Sequence, residues 1–194
     1  MASKRKSKKR SKESVFKQTC ALHRDTNTRD LYNIDKLILA KCDVNEANGS
    51  GVTALHFAAH NGATDVAIRL LFAQANPSPV TVNNESPLHF ATKRGFDEIV
   101  YHLLRNKSTV DVVNTSDGAT PLYYAVVNGF SECVRLLVRG GADPYFKVET
   151  SGMSILQTAC NGNNVETVRL LLEVVNVNAL LENGRTALHW ACYY

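Results

Sequence analysis

Five short stretches decide how this chain folds: Thr53-Ala-Leu-His-Phe-Ala58, Ser86-Pro-Leu-His-Phe-Ala91, Thr120-Pro-Leu-Tyr-Tyr-Ala125, Ser154-Ile-Leu-Gln-Thr-Ala159 and Thr186-Ala-Leu-His-Trp-Ala191. Each has Thr or Ser first, Leu third and Ala sixth, and successive copies start 33, 34, 34 and 32 residues apart. Self-similarity at such a period means stacked supersecondary units. Thr or Ser ahead of an apolar run is a helix N-cap, and Pro87 and Pro121 follow where a first-turn residue needs no N–H. The third-position Leu and sixth-position Ala share one helix face, so Leu55, Leu88, Leu122, Leu156 and Leu188 fill a seam that the small Ala keeps narrow.

Working outward, a breaker closes each helix about nine residues after its cap: Gly62, Gly95, Gly129, then Asn163. A second apolar stretch follows, as in Val66, Ile68, Leu70 and Leu71, or Val134, Leu136 and Leu137, or Val165, Val168, Leu170, Leu171 and Leu172. Each unit is therefore a pair of short antiparallel helices. Two residues ahead of each cap stand Gly51, Asn84, Gly118, Gly152 and Gly184, the residue types of a turn at positive φ. The chain is expected to be all-α.

These units resemble ankyrin repeats, whose signature reads G-x-T-P-L-H-x-A-A-x-x-G, and the match runs over residues 51–194. The resemblance implies a solenoid of antiparallel helix pairs with hairpin-like turns between repeats. The domain reading is a disordered basic tail at 1–13, a degenerate capping unit at 14–45, and the array at 46–194, its last repeat incomplete from 186. In the capping unit the first helix is expected near Phe16–Arg24, with Cys20-Ala-Leu-His23 keeping only the Leu and His of the signature. Copies one (Leu71 to Pro77) and four (Leu172 to Asn178) read one residue short after the second helix, and copy two reads as lengthened around Asn106–Thr109. Because the fifth copy stops at Tyr194 inside its first helix, the reading is of a truncated form of a longer protein. A self-sufficient stump covered by a partner is the alternative.

Composition agrees. Of 194 residues 44% are hydrophobic and 21% charged, which suits a packed core and not a wholly disordered chain. No apolar run reaches the ~18 residues of a membrane-spanning helix, and the opening MASKRKSKKRSK has no apolar segment behind it to make a secretory signal. Residues 1–12 hold seven cations (Lys4, Arg5, Lys6, Lys8, Lys9, Arg10, Lys12) and no acid; taking them from the 22 Lys and Arg leaves 15 against 18 acids, about −3. The body is mildly acidic, which argues against a nucleic-acid-binding body. The tail fits nuclear import, phosphate contact with nucleic acid, or an anionic membrane surface. Import through a receptor reading residues 4–12 is favoured, which places the protein inside the cell, in the nucleus with the cytoplasm as alternative. Seven phosphate contacts would give a log–log salt slope of about −6. Ser7 and Ser11 lie among these charges, where phosphorylation would weaken either contact.

Candidate chemistry reads as structure. His56 and His60 are i, i+4 but lack a Glu and a third ligand, and His56, His89 and His189 share one repeat position with Tyr123 and Gln157, so hydrogen bonding along the stack is expected and no metal. The aromatic stripe Phe57, Phe90, Tyr124, Trp190, broken by Thr158, is expected to pack between repeats. The five cysteines (Cys20, Cys42, Cys133, Cys160, Cys192) form no CxxC pair and read as free packed thiols. No phosphate loop, nucleophile elbow or carboxylate pair is present; no catalytic residue and no cofactor is expected, and the chain is not read as an enzyme.

The resemblance implies protein recognition by a concave groove of turn tips and first helices, a non-catalytic adaptor or scaffold. Mapped onto this chain, the candidates are Ser50, Val52, His60 and Asn61; Asn83, Glu85, Lys93 and Arg94; Asp117, Ala119, Val127 and Asn128; Ser151, Met153 and Asn161; and Arg185 and Tyr193. If Lys93 and Arg94 take part, the partner presents acidic groups there; otherwise both are solvated charges. One alternative is the recognition region of a larger multidomain protein, an enzyme of the tankyrase or poly(ADP-ribose) polymerase kind included. Another is nucleic-acid contact by the tail. Leu37 to Asn45, ending Asp-Val-Asn, also resembles sites that ankyrin proteins offer to an asparaginyl hydroxylase; a turn-forming Asn explains the same residue.

Overall fold

The structure, a computed structural model, describes residues 21–148, 152–162 and 164–175. The tail, the fifth copy with Trp190, His189, Gly184, Arg185 and Tyr193, and the positions of Cys20, Ser151, Asn163 and Cys192 lie outside the described residues. Ten helices are described. Helix α1 covers residues 21–28, and the rest follow as α2 (Leu31–Leu39), α3 (Ala54–Asn61), α4 (Thr64–Phe72), α5 (Pro87–Arg94), α6 (Asp97–Arg105), α7 (Pro121–Val127), α8 (Ser131–Arg139), α9 (Ile155–Asn161) and α10 (Val165–Leu172). From α3 onward the odd helices stack on one another as an inner row. The even helices from α2 form an outer row, and each pair packs together.

The helices begin where the sequence places them. Thr53, Ser86, Thr120 and Ser154 are N-caps in extended backbone. In the third and fourth units the cap hydroxyl accepts a first-turn N–H, Tyr123 N–H to Thr120 Oγ1 at 3.3 Å and Gln157 N–H to Ser154 Oγ at 3.2 Å. The first two units add a histidine: the N–H of Thr53 donates to His56 Nδ1, and that of Ser86 to His89 Nδ1, both at 3.1 Å.

The seam is dry. Leu55, Leu88, Leu122 and Leu156 are buried with Ala58, Ala91, Ala125 and Ala159. The outer helices contribute Val66, Leu70, Val134, Leu137 and Leu171 to the same core. Ile68 and Leu136 are only half-buried and Leu172 is exposed, because three consecutive apolar residues on a helix cannot all face one side.

Every described turn residue two ahead of a cap has positive φ: Gly51 at 77°, Asn84 at 56°, Gly118 at 70° and Gly152 at 63°. At the end of α3 and α5 glycine answers a second demand. A Cβ on Gly62 would come within 2.7 Å of the Phe96 ring, and one on Gly95 within 2.6 Å of Phe130. Aromatic residues entering the next outer helix pack against these breakers.

Two expectations require correction. In copies one to three the changes of length do not fall directly after the second helix, while the place expected in copy four (Leu172 to Asn178) lies largely outside the described residues. The turns there are alike, closed by N–H to carbonyl bonds from Cys42 to Leu37, Ala75 to Leu70, Ser108 to Leu103 and Ala142 to Leu137, each with its second turn residue at positive φ (Lys41, Gln74, Lys107, Gly141). The extra residue of the later units lies in the loop between that turn and the next glycine. In the capping unit, the helix expected to end near Arg24 runs on to residue 28.

Candidate partner-binding surface

The inner helices carry their signature histidines as bridges between units. Since a backbone N–H donates to Nδ1, the ring proton is on Nε2. It points at the carbonyl ahead of the next cap: His56 to Glu85 O at 3.0 Å and His89 to Ala119 O at 3.3 Å. His23 Nε2 stands 3.2 Å from Glu46 O, so the capping unit also reaches the next one, though at a carbonyl well ahead of the Thr53 cap. Burial, only partly offset by the bridging carbonyl, lowers the pKa of His56 and of His89 to about 4. Each ring also meets the next unit's aromatic, with His23–Phe57, His56–Phe90 and His89–Tyr124 centroids 5.5, 5.4 and 6.1 Å apart. The half-buried stripe therefore packs between repeats.

Beyond these bridges lies the inner surface. Ser50, Asn83, Arg94, Val127, Asn128 and Asn161 are exposed, and Val52, His60, Asn61, Glu85, Lys93, Asp117 and Met153 half-buried. Ala119 must be removed from the candidates: it is fully buried, and its carbonyl is taken by His89. The turn tips are held in register by backbone bonds, Val82 N–H to Ser50 O at 3.0 Å and Thr115 N–H to Asn83 O at 2.9 Å.

Three candidates meet in one network. Lys93 forms an ion pair with Glu85 and sits 4.2 Å above the centre of the Tyr124 ring. The Tyr124 hydroxyl donates to Asp117 Oδ2 at 2.6 Å and accepts from Asn114 Nδ2 at 2.7 Å. Burial opposes charge on Lys93, but its bonds to Glu85 and Tyr124 outweigh this and hold its pKa above the ordinary value. Burial likewise opposes ionisation of Asp117, yet Tyr124, Asn114 and the Ala119 N–H keep it below the usual carboxylate range. Tyr124 is itself raised by burial and by Asp117. Lys93 is thus committed to its neighbours, whereas Arg94 is exposed, with its Nη2 3.1 Å from His60 Nε2. The burial of His60 and the Arg94 charge lower the pKa of that histidine.

The sequence reading missed Asn27 and Asn114. Asn27 extends the inner row into the capping unit, accepting from Asn61 Nδ2 at 2.8 Å. Its signal was the 33-residue step back from His56 to His23 and from His60 to Asn27. Asn45 accepts the Asn76 N–H at 2.6 Å through Oδ1, which gives it a structural task between turns. The thiols of Cys42 and Cys160 are raised by burial and that of Cys133 is pushed up to about 12, conditions that favour packing over thiolate chemistry. Among the described residues no three His, Cys, Asp or Glu side chains gather as metal ligands, and no helix is long and apolar enough to cross a membrane.

A family profile described as Ankyrin repeats (3 copies) matches residues 22–114, 73–148 and 141–194. The chain belongs to the ankyrin-repeat family. The array is similar to neurogenic locus notch homolog protein 1 of Danio rerio, 34% identical over 141 residues, covering 73% of this chain and 6% of that protein. It is 39% identical over 72 residues to human neurogenic locus notch homolog protein 4, 37% of this chain and 4% of the relative. A third relative is a glycerophosphocholine phosphodiesterase of Schizosaccharomyces pombe, 38% identical over 84 residues, 43% of this chain and 7% of that protein. The chain thus spans a small fraction of the length of the curated relatives it matches. Ankyrin repeats make a protein–protein interaction module.

Proposed function

We propose that this array is a non-catalytic adaptor that binds a protein partner along its inner surface. What supports the reading is the division of labour on that surface. The histidine bridges and the Glu85–Lys93–Tyr124–Asp117 network fix the spacing of the units, and a row of exposed polar side chains, Arg94, Asn128 and Asn161, is left over for recognition. Preformed spacing lowers the ordering cost of association. Charge reversal at Arg94 together with Asn128→Arg tests the reading. Affinity capture from the source cells should lose its partner with that variant, at an unchanged melting temperature. An unchanged partner set would refute it.

A second reading treats the array as the recognition region of a larger multidomain protein. It is favoured by relatives that are many times longer, one of them named as a phosphodiesterase. In both readings residues 4–12 serve nuclear import, and nucleic-acid contact by the same cations is the competing role.

A further inference from the structure

The outer row of helices carries a feature that the inner-surface reading leaves unused. Leu39 and Phe72 end α2 and α4 at equivalent places 33 residues apart, and remain 82% and 83% exposed. Scattered apolar side chains on a surface are ordinary. These two are in register on neighbouring helices, and Phe72 walls an open groove of about 430 Å³ between α4 and α6, lined also by Ile68, Leu71, His102 and Arg105.

The charge around them is one-sided. Lys36, Lys41, Arg105 and Lys107 are exposed and form no ion pair among the described residues. Nearby acids are fewer or distant. Asp35 is paired with Arg69 at 2.5 Å, and the exposed Asp43 and Asp111 turn to the backbone N–H groups of Asn45 at 2.9 Å and Asp143 at 3.1 Å, which leaves four cations against two carboxylates. Asp65, Asp97 and Glu98 lie in the first turns of α4 and α6, about 10 Å away along helices that rise 1.5 Å per residue.

We propose that this ridge is a second docking surface, independent of the inner one, for a short acidic helix carrying apolar residues seven positions apart. Packed helices lie roughly 8–10 Å apart, which sets the separation of Leu39 and Phe72, and a helix spans about 10.5 Å over seven residues. Such a helix lays its apolar face over the two knobs and into the groove, while its acids meet the four cations. Two like-charged ridges repel, which disfavours a second copy. A concave groove flanked by only two knobs fits a helix better than a flat membrane.

The test uses the full chain and fluorescence anisotropy with two labelled synthetic helices. Both carry Leu at the same i, i+3 and i+7 positions; one has Glu and the other Lys at the flanking sites. The acidic helix should bind at least about tenfold more tightly. Phe72→Ser, and separately Arg105→Glu with Lys107→Glu, should each weaken it at least about tenfold, with circular dichroism showing intact folding. Arg94→Glu on the inner surface should leave it unchanged. Absent binding, equal binding of the two helices, or indifference to Phe72→Ser overturns the proposal. Self-association lost in Phe72→Ser would assign the ridge to a second copy, and phosphatidylserine vesicle binding lost in the same variant would assign it to a membrane; either result overturns it too.

Discussion

Lowering the pH from 7.5 to 5.0 should loosen the array through two buried rings. His56 and His89 are 0% exposed, and each takes a backbone N–H on Nδ1, so a proton added there would face another donor. Their pKa falls from the ordinary 6.5 to about 4 in the fold. Between those values the unfolded chain binds protons that the folded chain refuses, so stability is intact above pH 6.5 and drains away as the pH falls toward 4. At pH 5.0 the deficit is about 2 kcal/mol for each ring and about 4 kcal/mol for both, at 1.36 kcal/mol per pKa unit. Urea unfolding followed by circular dichroism at the two pH values measures the loss. The control is the double variant His56→Gln/His89→Gln, since Gln157 already fills this position in the fourth unit, its Oε1 accepting the Ser154 N–H at 2.8 Å. The wild type should lose about 4 kcal/mol more than the variant over the same pH interval. Equal losses would show that these rings carry no depressed pKa and that the bridge geometry is wrong.

Three further outcomes can be read by thermal or urea unfolding. Gly95→Ala meets both a φ of 73° and the Phe130 ring, whereas Gly118→Ala meets a φ of 70° and open space; the first should cost at least about 2 kcal/mol and the second about 1 kcal/mol, and equal costs would deny the Phe130 contact its role. Leu137→Ala should cost about 2–5 kcal/mol as a full core deletion, and Leu136→Ala about 1 kcal/mol as a half-buried one; the reverse order would shift the helix face. Gln74→Gly, at φ 64° where the third unit has Gly141, should raise stability by about 1 kcal/mol, and a loss would argue against a left-handed turn there.

Caps, seam and turn glycines were legible because each is fixed by a local rule that the chain repeats. Asn84 shows how far this reaches, since a single Asn among glycines still named a left-handed turn. The capping unit hid for the same reason. Asp25 stands where the others have Ala, and Arg29, at φ 57°, where copies one to three have Gly. The 33-residue step to His23 survived those changes, and residues 21–28 are helical as the period requires. Ala119 was misjudged because a place in the repeat was equated with exposure, while its fate depends on which carbonyl the preceding histidine reaches. The network around Tyr124 depends on the stacking of the units, since a ring that packs between them also sends its hydroxyl to Asp117. Leu39 and Phe72 carry no mark in the repeat, and only the stacking shows which apolar residues of the outer helices stay outside.

The extensive helix contacts among the described residues lie within a unit or between adjacent units, and this has a mechanical consequence. No contact among the described residues clamps one end of the array to the other, so tension along it is borne in series by the interfaces between neighbours. A chain pulled at both ends should yield in steps of one unit, each releasing about 33 residues, or roughly 11 nm of extended backbone. Such an array behaves as a soft spring whose links peel from whichever end has the weaker interface, and a partner bound across several units would act as a splint.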